Sequence, residues 1–215
     1  MTVKDILNIS FPAEFGSDED GEETYAIEDV YDQLDSTIET AYGASKFVIF
    51  LNDEEVIKVP FNGCFWYDDD EEGGMRFDEF NNNDYCATEA AVYADAVALG
   101  VEKFFASTKY YGSTIDHTPI YIAERVYSFY ENDDIRHKTE SSEESNKKAM
   151  EINKESHLHF SAEWLAKAIE FYGVDAINDL VAFIELEHIN DFHNGNLGFR
   201  KDGSPVILDY SGYEE

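Results

Sequence analysis

Near its end the chain carries three oxygen-bearing side chains at spacings that could do chemistry. Asp191-Phe192-His193-Asn194-Gly195-Asn196 sets a carboxylate ahead of a carboxamide, and thirteen residues after Asn196 comes Asp209-Tyr210-Ser211-Gly212. A positioned carboxylate can take a proton from a hydroxyl, and carboxylates and amide oxygens are groups that hard cations accept. Far upstream, Val56-Ile57-Lys58 sets one ammonium at the end of an apolar pair, and an ammonium is a compact point charge. Taken singly, each has a plainer reading. Val-Ile-Lys is common in edge hairpins, Asp202-Gly203 is a turn signal that needs no function, and His188 and His193 suit hydrogen-bonded structural roles.

The elements that must position these residues are legible in part. Phe47-Val48-Ile49-Phe50-Leu51, a polar Asn52-Asp53, and Val56-Ile57-Lys58-Val59-Pro60 read as strand, turn and strand. Asp84 to Leu99, with Ala90, Ala91, Ala94 and Ala98 and a stop at Gly100, reads as a helix with a C-terminal glycine. Pro119 to Val126 is almost continuously apolar until its end, the pattern of a strand inside a sheet. Glu131 to Glu155 is polar and charged, which suits a surface helix or a partly disordered connector. Ser161 can cap a helix carrying Trp164, Leu165, Ala168, Ile169 and Tyr172 and ending at Gly173. A second helix sets Val174, Ile177, Leu180, Val181 and Ile184 on one stripe. Val206-Ile207-Leu208 is a short strand leading into Asp209. The order of strands, helix, strands and then helices predicts an α+β fold.

The 215 residues contain 15 Lys+Arg against 47 Asp+Glu, a net charge of −32. Such a surface disfavours direct contact with nucleic acid or an anionic membrane. The excess is concentrated early, with 22 acidic and 4 basic residues in positions 1–80. Two patches stand out, Asp18 to Glu23 and Asp68-Asp69-Asp70-Glu71-Glu72 ahead of Gly73-Gly74; both read as solvated loops, and the second lacks the spaced ligands of a calcium loop. Hydrophobic residues at 43% are enough for a core. Cys64 and Cys86 form no metal-spaced pair. With no signal-like apolar stretch at the start and no membrane-length run, the expectation is a soluble cytoplasmic protein.

Together the D-x-x-x-x-N run from Asp191 to Asn196 and the later Asp209-Tyr210-Ser211-Gly212 resemble the catalytic loop and metal-binding motif of the protein-kinase-like superfamily. His193 and Gly195-Asn196 look more like its small-molecule and bacterial branch, so an origin in a bacterium or its phage is expected. The resemblance runs from about Thr40 to the C-terminus. It implies a two-lobed kinase-like fold, with residues 1–126 forming a small antiparallel β-sheet lobe and 127–215 a reduced helical lobe. The implied cofactors are ATP and Mg²⁺. Asp191 would orient the acceptor hydroxyl and take its proton, while Asn196 and Asp209 would hold the metal. Lys58 would grip the nucleotide phosphates and pair with Glu89, with Glu39 and Glu79 as contenders for that partner. Gly43 and Ser45, in Tyr42-Gly43-Ala44-Ser45, would stand in for the glycine-rich loop. Ile120–Val126 would form the hinge between the lobes.

Three departures bear on activity. Only one glycine occupies the loop ahead of the hairpin, Ile189 stands where protein kinases place a histidine, and only six residues follow Asp209. The favoured expectation is an ATP/Mg²⁺-dependent phosphotransferase, extending to a minimal protein kinase. The alternative is a catalytically reduced, kinase-derived acidic protein that imitates nucleic acid and binds a basic protein partner. A kinase for a sugar or antibiotic hydroxyl is a third option, weakened by the missing C-terminal helices.

Overall fold

The computed structural model describes residues 1–17, 23–67, 74–77 and 84–211. In chain order they form α1 (Val3–Ile6), β1 (Gly16–Ser17), β2 (Thr24–Tyr25), α2 (Ile27–Tyr31), β3 (Thr40–Tyr42), β4 (Lys46–Phe50), β5 (Glu55–Pro60), β6 (Asn62–Tyr67), β7 (Gly74–Phe77) and α3 (Tyr85–Leu99). After a 3-10 turn at Glu102–Phe104 come β8 (Thr108–Ser113), β9 (Pro119–Glu124), β10 (Tyr127–Ser128), α4 (Asp133–Arg136), α5 (Glu143–Ser156), α6 (Ala162–Tyr172), α7 (Val174–Glu187), β11 (Leu197–Phe199) and β12 (Pro205–Ile207). The class is α+β. The acidic residues Asp18 to Glu22 and Asp68 to Glu72, together with Gly73, Glu79 and Gly212, lie outside the described residues. Among the described residues no helix is long and apolar enough to cross a membrane.

By packing, the chain divides into two units: Met1–Thr88 with Thr108–Glu124, and Glu89–Ser107 with Arg125–Glu215. The first is built on a five-stranded antiparallel sheet in the order β3-β4-β5-β9-β8. Because side chains alternate along a strand, β4 and β5 present two different faces. Phe47, Ile49, Ile57 and Val59 fall on one face and pack with Ile6, Ile9, Phe11, Phe15 and Val30 into an apolar core. Val48, Lys58 and Tyr121 stand opposite one another on the other face. A second sheet, β2-β1-β6-β7, contains a parallel β1–β6 pair. Two-residue strands carry no periodicity, so sequence reasoning does not find them.

The turn between β8 and β9 ties this unit to its N-terminal segment. Asp116 accepts hydrogen bonds from the Phe11 amide, from the hydroxyl of Ser10 at 3.1 Å, and from the Thr114 hydroxyl. His117 takes the left-handed conformation at φ 71°, which closes the turn.

In the second unit α5, α6 and α7 pack with the second half of α3 around Trp164, Leu165, Phe183 and Ile184. Ser142 caps α5 and Ser161 caps α6, each accepting from the backbone amide three residues on. Gly173, at φ 85°, ends α6 and begins α7. The segment expected as a surface helix or connector is helical at α4 and α5, and α5 buries Ser145, Ala149 and Ile152. The strand expected over 119–126 ends at Glu124. Tyr127 and Ser128 pair instead with β11, in a three-stranded sheet β10-β11-β12. That pairing brings the Tyr127 carbonyl so close to Gly198 that a Cβ there would lie 2.3 Å from its oxygen. The buried Trp164 indole N–H donates to the Gly198 carbonyl at 3.0 Å.

Burial works against ionisation of Asp116, but the Thr114, Phe11 and Ser10 donors outweigh it and hold the carboxyl below its ordinary range. A depressed folded-state value means the stabilisation is full above the unfolded value and is lost as pH falls through the folded one. Asp116→Asn should therefore lower stability at pH 7 by about 1 kcal/mol, the scale for a partly exposed hydrogen-bonded carboxylate. In chemical denaturation the gap between wild type and variant should narrow below pH ~4.

Candidate functional site

The segment from Asp191 to Asn196 is pinned at both ends by apolar anchors. His188, left-handed at φ 57°, terminates α7, and the next amide, Ile189, returns a hydrogen bond to the Ile184 carbonyl at 3.1 Å. Ile189 is buried in the core of the second unit. Phe192 is also buried, its ring 4.4 Å from that of Phe160 between centroids. Asp191, between these anchors, is left half-exposed. The apolar side chains set the loop's path and the polar one faces outward from it.

Asn196 closes the loop. Its side-chain amide donates to the Asp191 carbonyl at 3.1 Å and to the Asp191 carboxylate Oδ2 at 2.8 Å. Its own carbonyl accepts from the Leu208 amide at 2.9 Å and the Asp209 amide at 3.4 Å. One residue thus fixes the carboxylate of Asp191 through its side chain and the start of the Asp209 segment through its backbone. Three residues spread over the C-terminal part of the chain are thereby brought together. With both Nδ2 hydrogens spent on Asp191, the polar atom of Asn196 suited to a cation is its carbonyl oxygen Oδ1.

Asp209 is positioned from both sides. Its Oδ1 accepts from the hydroxyl of Ser211 at 3.0 Å and more loosely from the Ser211 amide at 3.4 Å. The following residue, Tyr210, is buried; its hydroxyl donates to the Ala106 carbonyl at 2.6 Å and its ring lies edge-on to Phe105 at 5.0 Å. Sequence alone assigns Tyr210 no role, although an aromatic directly after a polar site residue is the type of anchor that fixes such a segment.

His193 is exposed and supports the loop. Its Nδ1 accepts from the Gly195 amide at 2.9 Å, which leaves Nε2 as the protonated nitrogen of a neutral ring. That Nε2 lies 3.6 Å from Asp191 Oδ2. Asn194 donates to the hydroxyl of Tyr130 at 2.7 Å.

Lys58 sits on β5, the central strand of its sheet, and its residue is only 7% exposed. The edge-hairpin explanation for Val56-Ile57-Lys58 therefore does not apply. Glu89, on α3, is 0% exposed. Lysine and glutamate are almost never buried to this degree unless paired, and neither residue here is without an interaction partner.

Gly43 and Ser45 occupy the turn joining β3 to β4. The Gly43 amide donates to the Lys46 carbonyl at 3.0 Å, and the Ser45 carbonyl accepts from Phe61 at 2.9 Å. The buried Ser17 hydroxyl reaches the carbonyls of Gly43 and Ala44 from below the turn. The amide of Gly43 is thus committed inside the hairpin, so its contribution to a phosphate cradle is small.

The donor set at Asn196 and Asp209 is all oxygen, which fits a hard cation such as Mg²⁺ rather than a thiolate- or imidazole-seeking metal. Among the described residues no three His, Cys, Asp or Glu side chains converge as a dedicated cage. A cation that shares its shell with phosphate oxygens and water needs none.

Compared with known proteins, the chain matches no family model, and no curated protein is significantly similar to it.

The clamp made by Asn196 predicts an asymmetric response to substitution. Asn196→Ala deletes two donated bonds and should cost about 1–2 kcal/mol of stability. Asn196→Asp, nearly the same shape, sets a second carboxylate against Asp191 and should cost more at pH 7. The order should reverse or level in acid, where carboxylates protonate. Urea denaturation of both variants at neutral and acid pH checks this.

Proposed function

We propose that the chain is an ATP- and Mg²⁺-dependent phosphotransferase of the protein-kinase-like type, with a small antiparallel-sheet lobe and a reduced helical lobe. The observation that carries the reading is the Asn196 clamp, in which one carboxamide holds the Asp191 carboxylate while its backbone takes the amides leading into Asp209. The burial of Lys58 on a central strand adds to it.

Phosphoryl transfer is mostly positioning and charge neutralisation, with little covalent work for the protein. Under this reading the exposed part of the Asp191 carboxylate orients an acceptor hydroxyl and takes its proton. The bonds from Asn196 keep that carboxylate from rotating away. Asn196 Oδ1 and the Asp209 carboxylate are the groups that would hold Mg²⁺, which when bound neutralises charge on the phosphates. Lys58 supplies the fixed positive charge for the phosphates. Since the Gly43 amide is spent within its hairpin, phosphate binding leans on Lys58 more than in a glycine-rich loop.

The net charge of −32 does not exclude ATP, because remote carboxylates are screened over about 8 Å at physiological salt. It does favour a second reading, a kinase-derived acidic protein whose partner is a basic protein.

Thermal denaturation with ATP, with and without Mg²⁺, separates the two. Ligand at 100 times its dissociation constant should add about 2.7 kcal/mol to the folded state. Lys58→Ala should abolish that gain. Asp191→Asn should keep it while reducing phosphoryl transfer by about 10² to 10⁴, the scale of a lost general base. A wild-type protein with neither metal-dependent stabilisation nor turnover, yet with salt-sensitive binding to a basic protein, would establish the second reading.

A further inference from the structure

On the sheet of the first unit, the residue directly opposite Lys58 is Tyr121 of β9. Cross-strand partners in an antiparallel pair project from the same face, so this tyrosine shares the lysine's face, opposite the apolar core. It is buried, and its ring meets Tyr110 of β8 edge-on at 5.7 Å. Its hydroxyl donates a short hydrogen bond, 2.5 Å, to Oδ2 of Asp84. The other oxygen of the same carboxylate, Oδ1, accepts from the Ala87 amide at 2.9 Å. Asp84 also receives the Ala87 and Thr88 amides on its backbone carbonyl, at 2.9 and 3.1 Å. Asp84 is therefore the N-terminal cap of α3 and, through its second oxygen, the attachment of that helix end to β9.

An N-cap needs only one oxygen, and serine or asparagine would serve as well. A carboxylate with one oxygen on the helix and the other on a buried phenol does more. It fixes the position of the helix start relative to the strand that pairs with the Lys58 strand. From this geometry we infer that Tyr121 and Asp84 are positioning residues for the Lys58 part of the phosphotransfer site: their bond seats the first turn of α3 on the face of the sheet that carries Lys58. The inference rests on the phosphotransferase reading for its functional half, while the attachment itself does not.

Burial, and then the Asp84 carboxylate beside it, push the Tyr121 phenol above its ordinary range. The proton therefore stays on the phenol across the working pH range, and the bond keeps one direction, phenol to carboxylate. The carboxylate is acceptor-only when ionised, so both of its oxygens remain committed.

The test compares Tyr121→Phe and Asp84→Ser, singly and together, with wild type and Asp191→Asn. Phenylalanine keeps the ring and its packing but not the hydroxyl; serine keeps the cap but cannot reach the phenol. Two readouts are taken on the full chain: hydrogen exchange of the Ala87 and Thr88 amides, and kcat and KM for ATP with Mg²⁺. Each single variant should speed exchange at the start of α3 and lower kcat/KM by about tenfold, the loss expected for one charge-assisted bond. The double variant should fall no further than the worse single one, because the two side chains act as a unit. Asp84→Asn should retain part of kcat/KM, since its single side-chain oxygen keeps the cap and its NH2 can donate to the phenol oxygen. Faster exchange with kcat/KM unchanged in an active enzyme overturns the positioning role. Unchanged exchange in Tyr121→Phe overturns the attachment. A wild-type protein indistinguishable from Asp191→Asn in turnover removes the phosphotransferase reading itself, and the exchange data then decide the attachment alone.

Discussion

The half-exposed Asp191 carboxylate is held in place by an uncharged group, the carboxamide of Asn196. An amide can donate two hydrogen bonds and carries no charge, so it fixes Asp191 through hydrogen-bond geometry. The same residue's backbone oxygen takes the Leu208 and Asp209 amides, so Asp191 and Asp209 share one support. Displacing Asn196 disturbs both ends at once. The apolar anchors on either side, Ile189, Phe192 and Tyr210, serve the same end by removing the backbone's freedom to swing.

The first unit solves a related problem with a different device. A lysine on the middle strand of a sheet loses most of its hydration, which is costly unless its charge is matched. The strand alternation keeps Lys58 off the apolar core and on the face that carries Tyr121.

What could be read from sequence follows from the range of the forces involved. The β4–β5 hairpin, α3 with its stop at Gly100, and the helix pair meeting at Gly173 are local patterns: apolar periodicity, a cap, a left-handed glycine. They were legible because a few adjacent residues determine them. The order Asp191, Asn196, Asp209 was legible as spacing, but the clamp was not, because nothing in spacing says that the Asn196 nitrogen points at one aspartate and its carbonyl at the other. The path after Glu124 was missed for the same reason. Apolar content carries on to Val126, yet the pairing of Tyr127 with Phe199 is decided by a partner more than seventy residues away. The commitment of the Gly43 amide within its own hairpin, and the covering of that turn by Ser17, are likewise tertiary facts.

The two packing units are interleaved along the chain, which crosses from one to the other after Thr88, after Ser107 and after Glu124. Neither unit is an uninterrupted stretch of polypeptide, so ribosomal synthesis cannot finish one before starting the other. When Glu124 has emerged, Val92, Ala96, Phe104 and Phe105 still lack the α6 and α7 residues they will be buried with. A nascent chain at that stage displays an apolar stripe, and an excised front half would keep it permanently. The net charge of −32 makes such chains repel one another and so opposes their association through that stripe.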